Sequence, residues 1–153
     1  WQEWADPIIN EYKRLIDLGY KNINFIGRST GASLILILLL EKKIKSEFTN
    51  HIIGIDPLFT PKNKFLYLVP YLRPLLVDHI HKKSDTKIEQ ENWYQIRSYK
   101  SLTELVKCIT HLKECINKYK FNKNISIDLF QSEHDPVVDA KGLIHLKNKS
   151  FKL

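Results

Sequence analysis

Ser29 stands between two glycines at GxSxG spacing, in the stretch Gly27-Arg28-Ser29-Thr30-Gly31-Ala32. A serine hydroxyl at this spacing becomes a nucleophile when a strand runs into a tight turn and then a helix, so that the turn lifts it clear of the sheet. The flanks supply that context: Ile23-Asn24-Phe25-Ile26 reads as a strand, and a long apolar helix begins near Ala32. At such a turn the serine takes strained backbone angles, and a side chain at Gly27 or Gly31 is expected to collide with the neighbouring strand or helix. Ser29 then lies at the helix start, where unpaired amides and the positive dipole end favour an anionic tetrahedral intermediate, and the amide of Thr30 is one candidate oxyanion donor. The alternative is an ordinary strand-to-helix turn with a solvated serine.

A serine is a poor nucleophile until a histidine takes its proton and an acid fixes that histidine's tautomer. The acid is sought at the carboxyl end of a neighbouring strand. Asp135 in His134-Asp135-Pro136-Val137-Val138-Asp139 follows such a strand and lies in a loop anchored by Pro136 and the two valines. Asp56, in Asp56-Pro57 after an earlier strand, is the substitute; Asp-Pro is also a common turn opener. Cys108, His111 and Cys115 make CxxHxxxC on one helical side, but three ligands on two turns without a fourth are a weak zinc case. Two thiols beside a core stripe are the simpler reading, and neither a metal nor a cofactor is expected.

The elements that position these groups follow from periodicity. Trp4, Ile8, Tyr12, Leu15 and Ile16 recur at helical spacing between Gln2 and Leu18, and Gly19 stops that helix as a left-handed cap. Strand Ile23–Ile26, a helix from about Ser29 to Ile44 that is apolar nearly all round, and a strand His51–Ile55 form a parallel α/β unit with the serine strand inside the sheet. Residues 58–93, with Pro61, Pro70 and Pro74 and with Phe65, Tyr67, Leu68 and Tyr71, read as a cap-like insertion over the site, or as a core-packed loop with short helices. A helix Ser101–Tyr119 opens on a capping box of Ser101 and Glu104. A strand Ile125–Phe130, a short helix Ala140–Leu146 and the start of a strand at Ser150 follow.

The 153 residues, 43% of them apolar and 27% charged, suit one domain with a sizeable core. The net charge of +7 comes from lysines scattered over helix ends and loops, which argues against a nucleic-acid partner. Cys108 and Cys115, about 10 Å apart along one helix, cannot pair with each other, which leans toward a reducing, cytoplasmic setting and leaves the compartment open. The apolar run Leu34–Leu40 is too short to span a bilayer, so no transmembrane segment is expected. Composition says nothing about oligomeric state.

GRSTGA after a strand, an aromatic-rich insertion and HDPVVD after a later strand resemble the α/β-hydrolase superfamily, in particular carboxylesterases, monoacylglycerol lipases and serine-aminopeptidase-like hydrolases. The resemblance implies a three-layer α/β sandwich with a mainly parallel sheet and no cofactor. It makes Ser29 the nucleophile, Asp135 the acid, Thr30 an oxyanion donor, and Gly27 and Gly31 the elbow glycines, acting on a small acyl ester through an acyl-serine. It also implies a histidine about 25 to 30 residues past the acid, beyond Leu153. None of the six histidines fits: His145 is too close, His134 abuts the acid, His51 starts a strand, His79 and His81 fall in the insertion and His111 on a helix. Early strands and an upstream glycine-rich loop are also wanting, so the chain is expected to match the middle and later part of the fold, to expose an unpaired sheet edge and to hydrolyse little alone. The non-catalytic alternative is an α/β ligand- or partner-binding domain.

Overall fold

A computed structural model describes residues 1–72, 79–81, 87–92 and 96–144. Three parallel strands form the frame, in the order β1 (Ile23–Arg28), β2 (Thr49–Ile55), β5 (Ser126–Phe130). Each strand alternates. Ile23, Phe25 and Gly27 of β1, Ile52 and Gly54 of β2, and Ile127 and Leu129 of β5 share one face in register and meet the helices.

Helix α2 (Thr30–Leu40) is buried from Ala32 to Leu40, because it is wedged between that sheet face and the amphipathic helices α1 (Gln2–Asp17) and α5 (Tyr99–Lys118). A helix without a polar face has to be enclosed in this way. α1 ends as its glycine requires. Gly19 sits at φ 87°, and the amides of Gly19 and Tyr20 donate to the carbonyls of Ile16 and Leu15.

The structure departs from the sequence reading in five places. Among the described residues β1 is an edge strand, with β2 in the middle; as expected, a sheet edge is left unpaired. Helices cover only one sheet face, so two of the three expected layers are present among the described residues. On the other face Ile26 and Phe130 are 70% and 60% exposed. α2 stops at Leu40 rather than Ile44, with the chain turning through Lys42 at φ 60°. α5 starts at Tyr99: Ser98 is its N-cap and accepts from the Ser101 amide at 3.0 Å, while Glu104, the supposed capping-box partner, instead receives Lys107 at 2.7 Å. At Gly31 an added Cβ would meet open space, so no collision explains that glycine.

Gly27 behaves as expected. A Cβ there would lie 2.7 Å from both the amide nitrogen and the Cα of Ala32, which are main-chain atoms fixed by α2. Replacing Gly27 by valine should therefore cost about 3 kcal/mol or more in folding free energy, read as a lowered urea midpoint, whereas Gly31→Ala should change it by well under half of that.

In the insertion, a 3₁₀ turn (Lys64–Leu68), α3 (Val69–Leu72), β3 (His79–His81) and α4 (Lys87–Asn92) are described, and β3 pairs antiparallel with β4 (Ile96–Ser98). Leu66 and Tyr67 pack on Leu58, Ile109 and Val138, which is the core-packed alternative for that stretch. The short helix expected at Ala140–Leu146 is present at residues 141–144; its remainder and the strand expected at Ser150 lie outside the described residues.

Candidate functional site

The junction of β1 and α2 holds Ser29 at φ 52°, ψ −121°, a region that non-glycine residues seldom occupy and that costs of order 1–3 kcal/mol. Its neighbours hold it there. The Ser29 amide donates to the Ile55 carbonyl at 2.9 Å, which ties the turn to the end of β2. The Ser29 carbonyl accepts from the Ser33 amide at 3.2 Å and the Ser33 hydroxyl at 3.3 Å, and that buried hydroxyl also reaches the Leu58 carbonyl.

Serine at an N-cap ordinarily turns its hydroxyl back onto the helix amides. Ser29 does not: its side chain makes no capping bond. The hydroxyl is unspent among the described residues. Beside it, the amide of Thr30 opens α2 and has no intrahelical acceptor, so it is available to an oxyanion.

Ser29, Thr30 and Gly31 line a cavity of about 740 Å³ together with Asp56 and Asp135. Both candidate acids therefore reach the serine's cavity, and their local bonding differs. Asp56, at φ 45°, accepts from the Ser132 amide at 2.7 Å and the Gln131 side-chain amide at 3.1 Å, and so joins the ends of β2 and β5. Asp135 accepts the Val137 and Val138 amides on one oxygen, both at 2.7 Å. That loop is strapped down: Lys62 and Asp139 amides donate to Val137 and Thr60 carbonyls, and Val138 is 2% exposed against Leu58 and Ile109.

The cavity wall is where sequence reading fell short. Phe65, Tyr67, Leu68 and Tyr71, read from the sequence as part of a cap-like insertion or a core-packed loop, do not line the cavity; Tyr67, Leu68 and Tyr71 border a separate cleft. The apolar wall comes instead from Trp4, Leu58, Ile96, Leu102, Leu105 and Val137, with Arg28, Arg97, Ser98 and Ser101 as its polar members. Four of these residues, Ile96, Arg97, Ser98 and Leu102, lie at the β4–α5 junction, where Ser98 caps α5.

None of the described residues lining the cavity is a histidine. His51 bonds Asp128 on the bare sheet face at 2.7 Å, His111 bonds Glu41 at 2.6 Å, and His134 is exposed in its loop. The side chains of His79 and His81, and all of His145, lie outside the described residues.

The CxxHxxxC pattern does not close as a unit. Cys115 and His111 are together with Glu41, while Cys108 is buried elsewhere in the core; both thiols are free, and burial pushes each up to about 11. Among the described residues no helix is long and apolar enough to cross a membrane.

No family model and no curated protein matches the chain. Solved structures do. One comes from work on LipS and LipT, two metagenome-derived lipolytic enzymes, with a TM-score of 0.77 at 16% identity over 97% of this chain and 58% of that one. Another is a soluble variant of monoglyceride lipase from Saccharomyces cerevisiae in complex with a substrate analogue, with a TM-score of 0.72 at 16% identity over 98% and 56%. The chain thus spans rather more than half the length of these neighbours, and at this identity the likeness is one of fold.

Proposed function

We propose that this chain, whose fold is that of the α/β-hydrolases, carries the nucleophile and the acid of a serine esterase acting on a small acyl ester. The observation that supports this best is the Ser29 turn. A strained backbone, an unspent hydroxyl, a free helix-start amide and a carboxylate on the same cavity are what acyl transfer needs.

In the proposed mechanism Ser29 Oγ attacks the ester carbonyl while its proton passes to a histidine, and the Thr30 amide stabilises the oxyanion that forms. Asp135 holds the imidazole in the tautomer that accepts the proton. The histidine then returns the proton to the departing alcohol, leaving an acyl-serine, and activated water hydrolyses it. The base and a second oxyanion donor are proposed to come from outside the described residues, in line with the share of the neighbours that the chain covers. The apolar wall of Trp4, Ile96, Leu102 and Leu105 suits an acyl chain. We further propose residues 58–93 as a cap-like insertion, whose Leu58 reaches the cavity wall.

Short-chain p-nitrophenyl esters assay the reading. The whole protein should release p-nitrophenol with saturation kinetics, the 153-residue chain alone should do so weakly or not at all, and a folded whole protein without turnover on any acyl length would contradict it and favour a binding domain.

A further inference from the structure

At the other end of α2 from Ser29, about 16 Å along the helix, three ligand-type side chains converge. Glu41 is the C-cap of α2, while His111 and Cys115 stand one turn apart on α5 and so project from the same helix face. Glu41 Oε1 is 2.6 Å from His111 Nε2, Cys115 Sγ is 3.5 Å from the same nitrogen, and the three ligand atoms all lie within 4.8 Å of one another. A single ring nitrogen thus faces a carboxylate oxygen and a sulfur at once. A catalytic triad would reserve that nitrogen for the thiol; here Glu41 Oε1, at 2.6 Å, is its nearer partner, and Cys115 is buried.

We infer that Glu41, His111 and Cys115 form a binding site for a zinc-class divalent cation, with water as the fourth ligand. Ligands about 2.0–2.3 Å from a shared tetrahedral centre sit about 3.3–3.8 Å from each other, so the carboxylate and the imidazole need to part by about 1 Å, while the 3.5 Å between sulfur and nitrogen already fits. The surroundings favour that. Lys43 Nζ lies 2.8 Å from Glu41 Oε2, which turns the carboxylate so that Oε1 meets the ring. Glu114 Oε2 lies 3.6 Å from His111 Nδ1, placed to receive the ring proton there once a metal takes the Nε2 lone pair.

A nitrogen, a sulfur and an oxygen donor together select zinc and its borderline-soft neighbours over magnesium or calcium. One cleft, bordered by Tyr67, Thr110 and Glu114, reaches His111, and another, bordered by Lys43 and Tyr119, reaches Glu41. On binding, the Cys115 S–H bond breaks, a sulfur–metal bond forms and the proton leaves to solvent. The Nε2–H donated to Glu41 in the free protein is lost as its tautomeric partner on Nδ1 takes over. The CxxHxxxC spacing, a weak zinc case in the sequence, would have used Cys108; the proposed site has Glu41 in its place, supplied by a different helix.

Cobalt(II) titration of the chelator-treated, reduced chain tests this independently of any esterase activity. One equivalent should bind, giving a thiolate-to-cobalt charge-transfer band in the near ultraviolet and the visible bands of a tetrahedral site, and zinc should displace both. Cys115→Ser should abolish the charge-transfer band, His111→Gln and Glu41→Gln should each weaken binding by about tenfold or more, and Cys108→Ser should leave the spectrum unchanged. Circular dichroism confirms that each variant is folded. Absence of stoichiometric uptake by the folded parent, or a charge-transfer band that survives Cys115→Ser or disappears in folded Cys108→Ser, would overturn the inference.

Discussion

Replacing Ser29 by alanine in the whole protein should lower kcat on a p-nitrophenyl ester by about a millionfold while the protein stays folded, because loss of a nucleophile costs as much as loss of the whole triad. The residual rate, ~10³ to 10⁴ over water, reflects the oxyanion donor and binding alone. The Ser29 hydroxyl makes no capping bond, so alanine deletes no hydrogen bond, and the strained main chain is held by Ile55 and Ser33 through backbone atoms that alanine retains. Steady-state rates with matched urea midpoints check this; a kcat within tenfold of the parent's would remove Ser29 from the mechanism.

The second large effect separates the two carboxylates. Asp135→Asn keeps an oxygen for the Val137 and Val138 amides, so the loop should hold, but in the proposed mechanism it removes the charge that would orient and stabilise the imidazolium. kcat should fall by about 10⁴-fold. Asp56→Asn likewise keeps an acceptor for the Ser132 amide, and because Asp56 serves to join β2 to β5, kcat should stay within a few-fold of the parent. Both variants retain the strap of residues 60–62 against 137–139, so stability differences should be small. The reverse pattern, with Asp56→Asn the damaging change, would transfer the acid's role to the end of β2.

The contrast between these acids shows where sequence reading carries and where it stops. The strand–turn–helix at Gly27–Gly31 was legible because its cause is local: a Cβ on Gly27 would strike the backbone of α2 only five residues later in the chain. The α2 core and the Gly19 cap were legible for the same reason, as each is decided within one or two turns. What failed depended on long-range placement. Gly31 has no neighbour to explain it, and the sheet position of β1 could not follow from a four-residue apolar run that suits an edge strand with one buried face as well as an interior one. Exposed Ile26 on that strand is apolar without being buried.

The cavity wall and the metal-type cluster illustrate the same limit. The aromatic run at 65–71 suited a cap-like insertion or a core-packed loop equally; in the structure Tyr67 and Leu68 border another cleft, and the cavity wall is assembled from residues as distant as Trp4, Leu58, Leu102 and Val137. Glu41 and His111, separated by 70 positions, come together only because α2 and α5 pack side by side. No spacing rule within α5 names the third member.

Covalent labelling by a fluorophosphonate reads the central claim most directly, since the probe reacts only with a serine whose hydroxyl is activated and accessible. In the folded whole protein the account predicts one adduct per chain, mapped by peptide mass spectrometry to Ser29 and absent after Ser29→Ala. An adduct on another serine, or a protein that hydrolyses esters while Ser29 stays unlabelled, would contradict it.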